Sequence, residues 1–141
     1  MVRFATIEDL ERIVEIENSS FDSPWSEDSL RYEIEENQLA EVFVIEINQE
    51  VVGYMSYMKI IDEVHINNIA IDSTKRGYGY GRELVESVLK SFKGNYSVTL
   101  EVRNDNYIAI NLYRNLGFEQ MGIRKDYYGK GQDALIMWIR R

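Results

Sequence analysis

A mixed α/β sheet is the fold predicted by this 141-residue chain, and three observations predict it. Short runs rich in Val, Ile and Tyr mark strands. Segments with apolar residues three and four apart mark helices. The two kinds alternate along the chain instead of falling into blocks, which gives the order β-α-α-β-β-β-α-β-α-β-β. There is no repeat, low-complexity tract or linker, and the only proline is Pro24. A single domain spanning 1–141 is therefore expected.

The elements follow in order. VRFA (2–5) reads as a first strand. Thr6 precedes IEDLERIVEIEN with Asp9 three residues on, close to a capping box, so a helix is expected over 7–18 with Leu10, Ile13 and Val14 on one face. FDSPWS (21–26) is a loop, and Ser26 can cap a helix over 27–36 with Leu30 and Ile34 turned inward. EVFVIEI (41–47) and VVGYMSYMKI (51–60) are strands joined by a short polar turn, which reads as a hairpin. VHINNIAI (64–71) is the next strand. Leu84, Val85, Val88, Leu89 and Phe92 then mark one helix face, and Gly94 stands where that helix should stop. YSVTLEV (96–102) is a strand, and NYIAINLYRNLG (106–117) is a helix ending at Gly117. FEQMGIRKDYY and DALIMWIR read as two final strands around the turn GKGQ.

Composition removes several classes of function. No apolar run reaches the roughly 20 residues of a membrane helix. The N-terminal MVRFATIEDLERI lacks the apolar core of a secretory signal. Cys is absent, so disulfides and thiolate nucleophiles are excluded. These features suit a reducing cytosol, and a cytoplasmic location is expected. Net charge is −8, which removes a global footprint for nucleic acid. Such a surface either attracts basic partners, such as a protein tail or a polyamine, or only keeps the chain soluble. The lone histidine, His65, has no His or Cys companion, so no metal site is expected and it reads as structural or surface.

The most informative stretch is RGYGYG, Arg76 to Gly81, between an apolar strand and a helix. Glycine costs backbone freedom, so three of them imply a close approach to the main chain. N–H groups at a helix start have no intrahelical partner, and the helix dipole adds partial positive charge there. A diphosphate is the ligand this arrangement suits, with Arg76 and Arg82 beside it. Walker loops end in Gly-Lys-Ser/Thr, and GRE (81–83) does not. The Rossmann fingerprint follows the first strand of a parallel unit, whereas the strands preceding this loop read as an antiparallel meander.

Arg76-x-x-Gly79-x-Gly81 resembles the Arg/Gln-x-x-Gly-x-Gly/Ala signature of the GNAT acetyltransferases. Three further stretches resemble the RimI branch of that family: FDSPWS (21–26), TLEVRNDNYIAINLYRNLGF (99–118) and RKDYYGKGQDALIM (124–137). Together they span nearly the whole chain. One departure is Ser73, where the family often has proline. The resemblance implies the GNAT fold, a sheet of about seven strands with four helices and with strands four and five splayed apart. It implies acetyl-CoA as cosubstrate and no metal. It implies a basic or ribosomal protein N-terminus, with alanine first, as acceptor; a small-molecule amine or a lysine side chain is the alternative acceptor, and a non-catalytic acyl-CoA-binding module the alternative to an enzyme. Neither nucleic acid nor membrane is an expected partner, and the chain is expected to act as a monomer or weak homodimer.

The resemblance also assigns residues. Ile69, Ala70, Ile71, Arg76, Gly77, Tyr78, Gly79, Tyr80, Gly81, Arg82 and Asn106 would bind acetyl-CoA, the first three through backbone amides exposed by the splay. Asn106 also reads as a helix cap, and both uses can coexist. Glu101 would be the base that takes a proton from the amine, since an α-amine with a pKa near ~8 is mostly protonated at neutral pH. Read alone, it is equally a solvent-facing strand residue. Tyr113 would be the acid that protonates the departing thiolate, but its neighbours Leu112 and Leu116 also suit a core aromatic. Phe21, Pro24 and Trp25 are either a core plug or one wall of the peptide cleft, and Tyr127 and Tyr128 would form the other wall. Glu63 would attract the amine near the cleft entrance.

Overall fold

In the computed structural model, which describes residues 1–141, β1 (Val2–Phe4) leads through a 3-10 turn (Ile7–Asp9) into α1 (Leu10–Ser20). The helix expected over 7–18 is thus split at its start. Asp9 draws the Thr6 N–H to 2.8 Å and the two guanidinium nitrogens of Arg3 to 2.9 and 3.0 Å. These bonds tighten the first turn into a 3-10 geometry. α2 (Glu27–Glu35) starts where expected, with the Ser26 hydroxyl accepting from Ser29 N–H at 3.1 Å. β2 (Ala40–Ile47) and β3 (Glu50–Ile60) form the hairpin. Its two turn residues, Asn48 and Gln49, have φ of 52° and 67°, the mirror-image turn that matches the twist of paired strands.

β4 (Glu63–Ile71), α3 (Tyr80–Ser91), β5 (Ser97–Arg103) and α4 (Tyr107–Asn115) follow within a residue or two of their expected bounds. β6 (Glu119–Arg124) is shorter than the run FEQMGIRKDYY suggests, and β7 (Ala134–Arg140) closes the chain. Tyr127 and Tyr128 lie in the turn between these strands. Asp126 ends the ladder with φ 55°, and its carboxylate accepts from Gly131 N–H at 2.6 Å, so the chain folds back before the tyrosines can pair.

The seven strands form one sheet in the order β1-β2-β3-β4-β5-β7-β6. All neighbours are antiparallel except β4 and β5. That parallel pair is joined only over Glu63–His65 against Ser97–Thr99; beyond it the strands part. The expected seven-stranded mixed sheet with four helices and splayed central strands is the fold observed.

Each face of the sheet has its own core. α3 and α4 cover one face, where Leu84, Val85, Val88 and Leu89 pack against Val98, Leu100 and Met137. Burying each such leucine contributes roughly 1.5–3 kcal/mol. α1 and α2 cover the other face, but only over β2, β3 and β4, through Ile13, Ile16 and Leu30 on Val44 and Tyr54. On that same face His65, Thr99, Ile136 and Trp138 line an open cavity of about 500 Å³ that no helix covers. That cavity lies over the paired end of β4 and β5, and the gap between the strands begins just beyond it.

Candidate active site

The glycine loop has the geometry its sequence suggests. Gly77 and Gly79 have φ of 88° and 82°, in the left-handed region, and a Cβ at either position would meet nothing within 4 Å. They are glycines for conformation and openness, not for packing. Gly79 caps α3, and the first amide to find a helical carbonyl is Glu83, bonding Gly79 O at 3.0 Å. The amides of 77–82 therefore point free at the helix start. The two flanking arginines are partly engaged. Arg76 donates to Ile71 O at 3.1 Å and to the Ser20 hydroxyl at 3.2 Å, and Arg82 donates to Glu86 at 2.8 Å. Asp72 fixes the approach to the loop: its carboxylate accepts from Thr74 N–H at 2.9 Å and pairs with Arg12. Those two contacts hold it at about 2.

Glu101 stands on β5 beside the gap, with its side chain 11% exposed. The sequence reading left His65 out of the site, and the fold brings it in. His65 is on β4, the Cα partner of Thr99, and its Nε2 lies 2.6 Å from Glu101 Oε2. Its Nδ1 lies 3.0 Å from Asn67 Oδ1. Asn67 sits in a β-bulge, since Ser56 pairs with Asn68 and Tyr57 with Ile66, and the bulge aims its side chain back at the imidazole. With the amide oxygen facing Nδ1, the ring donates from both nitrogens, as an imidazolium does. With the amide turned over, Nδ1 accepts and the ring is neutral. In both cases Nε2–H donates to Glu101. Arg124 on β6 lies 3.8 Å from the other carboxylate oxygen.

Tyr113 comes from the opposite face. It is buried on α4, packed edge-on against Phe118 at 5.5 Å between ring centres. Burial, and then the nearby Tyr128, raise its pKa well above the usual phenol value, so the hydroxyl stays protonated. Tyr128 donates to Glu101 O at 3.1 Å and is itself pushed up to about 12, mainly by burial. It thus links the β6–β7 turn to the strand carrying the carboxylate. Asn106 caps α4, its side-chain oxygen accepting from Ala109 N–H at 3.2 Å.

The remaining predicted residues divide. Trp25 is half-buried against the α1/α2 core, while Phe21 and Pro24 are exposed, so within the FDSPWS loop only Trp25 plugs the core. Tyr127 and Tyr128 pack edge-on, with ring centres 4.9 Å apart. Glu63 lies at the opposite end of β4 from Ile69–Ile71, on the cavity that His65 also lines. Arg103, two residues past Glu101 on the same strand face, reaches Asp105 at 3.1 Å and Asp22 of the loop at 3.9 Å.

Comparison with known proteins accords with this geometry. The profile of the acetyltransferase (GNAT) family matches residues 10–118. This chain belongs to the GNAT family. A Bacillus subtilis (strain 168) GNAT relative is 41% identical over 98% of this chain and 93% of its own length, and is provisionally named a [ribosomal protein bS18]-alanine N-acetyltransferase. A Haemophilus influenzae protein with that name is 36% identical over 92% of this chain and 90% of its own. The crystal structure of the ribosomal-protein-S18-alanine N-acetyltransferase from Escherichia coli superposes with a TM-score of 0.87 at 28% identity, covering 99% of this chain and 92% of that one.

GNAT enzymes take their acyl group from acetyl-CoA, and this chain is an acetyl-CoA-dependent N-acetyltransferase. The glycine cradle fits such a donor. Free amides and a helix start are aimed where a diphosphate would lie, and no side chain occupies the space. Beyond the short β4–β5 pairing, the backbone of Ile69–Ile71 has no partner on the β5 side, which leaves room for a pantetheine arm.

Proposed function

We propose that this chain transfers an acetyl group from acetyl-CoA to the N-terminal α-amine of a protein, with a ribosomal protein beginning in alanine as the acceptor. Attack is direct, in a ternary complex. The observation that carries this reading is the convergence at the splay. A carboxylate bonded to His65 stands on one face of the sheet and a protonated phenol on the other, and Tyr128 links them, donating to the Glu101 carbonyl at 3.1 Å and lying near Tyr113.

Bound acetyl-CoA supplies the thioester carbonyl that the amine attacks. The work of this chain is to position both partners and to move protons. Glu101, oriented by His65 Nε2–H, takes the proton that the ammonium must lose to become a nucleophile. Tyr113, kept protonated by its surroundings, gives a proton to the sulfur that leaves, and the second proton shed by the acylated nitrogen restores the phenol. The loop amides of 77–82 hold the diphosphate, and the open edge of β4 holds the arm. Glu101 and Arg103 stand on the face shared with the FDSPWS loop, so the acceptor enters between that loop and the Tyr127–Tyr128 turn.

The test gives the enzyme acetyl-CoA with an alanine-start peptide, an N-blocked lysine peptide and spermine. Acetylation of the free α-amine alone is the expected result, and Glu101→Gln should abolish most of it while leaving acetyl-CoA affinity in place. Preferential acetylation of spermine or of the blocked lysine peptide would overturn the reading.

A further inference from the structure

Glu17 is a carboxylate without a part in the chemistry above. It lies on α1, is 1% exposed, and sits beside Ile13, Ile16 and Leu30. Its partners are all uncharged. Oε1 accepts from the Tyr54 hydroxyl and from Asn68 Nδ2 at 2.7 Å, and Oε2 accepts from Trp25 N–H at 2.8 Å. A buried carboxylate without a cation is costly, and an aliphatic side chain would fill the same space without that penalty. Holding the Trp25 amide is the task no aliphatic side chain can do. That amide belongs to a loop and has no ladder or helix carbonyl to meet.

The two ends of this network are the FDSPWS loop, one wall of the acceptor path, and β4, the strand that carries His65. Trp25 stands next to last in the FDSPWS loop, and it lines a cavity of about 440 Å³ with Asp28, Ser29, Tyr32 and Glu33. Asn68 adjoins the Asn67 bulge, whose side chain meets His65, which in turn holds Glu101. One carboxylate thus sets the spacing between the loop wall and β4, the strand whose His65 holds Glu101. Building on the acceptor reading given above, we propose that Glu17 is the positioning residue for the acceptor wall, acting by the reach of its two oxygens and not by its charge.

Reach and charge can be separated. A glutamine keeps the length. Its oxygen can stay on Trp25 N–H, because the Tyr54 hydroxyl can rotate and the Asn68 amide can turn over to receive the new NH₂ group. An aspartate keeps the charge but is one methylene too short to serve both ends. Glu17→Gln should therefore hold the acceptor KM within about threefold of the parent. Glu17→Asp should raise it about tenfold, the loss expected when one buried hydrogen bond fails. The Kd for CoA by calorimetry should be unchanged in both.

Hydrogen exchange at the Trp25 amide gives a second readout. It should speed up in Glu17→Asp and not in Glu17→Gln. A purely structural role would instead lower Tm and weaken CoA and acceptor binding together, which would overturn the proposal. So would a glutamine variant as impaired as the aspartate one, or an aspartate variant with the parent's acceptor KM. If the parent enzyme ignores alanine-start peptides, the proposed function fails, and exchange at Trp25 still decides whether Glu17 anchors the loop.

Discussion

His65→Ala removes the imidazole that holds the candidate base, and the size of the effect can be worked from the contact. The Nε2–Oε2 distance is 2.6 Å, short for a nitrogen donor and in keeping with a charge-assisted bond. Such bonds contribute about 1.5–3 kcal/mol. The lower half of that range applies here, because the imidazole is 40% exposed and borders an open cavity through which water can replace it. Water would satisfy the carboxylate but would not fix its direction. A loss of about 1.5–2 kcal/mol corresponds to a fall in kcat of about 10- to 30-fold. The assay is steady-state acetylation of an alanine-start peptide at saturating acetyl-CoA, with Tm measured alongside. Little change in Tm is expected, since half-exposed His65 leaves no core cavity behind. A kcat within twofold of the parent would refute the idea that His65 orients Glu101.

Tyr113→Phe should lower kcat with little change in fold, because the ring still packs on Phe118; parent-like turnover measured with a peptide acceptor would remove the phenol from the mechanism. Gly79→Ala puts a Cβ on a residue at φ 82°, a strain of roughly 1–2 kcal/mol, and obstructs the mouth of the loop. The expected result is a weaker CoA titration, by about tenfold or more, and an unchanged Kd would count against the cradle. Asp72 gives a pH effect of known sign. Its folded pKa, about 2, lies below the ordinary 3.8, so its stabilisation is complete above pH 3.8 and is lost as pH falls toward 2. Thermal melts of the parent should therefore fall more steeply between pH 4 and 2 than those of Asp72→Asn; equal slopes would remove Asp72 from the acid response.

Much of this fold could be read from residue patterns alone, because its signals are local. Glycines before an amphipathic helix, Ser26 before Leu30 and the alternation in β5 each report on a few neighbours in sequence. Residues 125–128 misled as the end of a strand because the two tyrosines have strand propensity, while the turn that displaces them depends on Asp126 and its contact seven residues away. His65 was unreadable for a different reason. Its meeting with Glu101 requires a parallel register across 36 residues and a bulge that aims Asn67 at the ring. Glu17 carries no cue either, since a glutamate on a helix looks like a solvated one until tertiary packing closes over it.

The parted strands have a consequence for how such an enzyme can diversify. Where β4 and β5 separate, the donor would be met by peptide groups, which every residue except proline carries alike. Substitution along those strands can reshape what sits on either face without erasing the feature that receives the thioester arm. The acceptor side is built from loops and side chains and has no such protection. A lineage with this architecture is free to exchange the amine it modifies while its acyl currency stays constant.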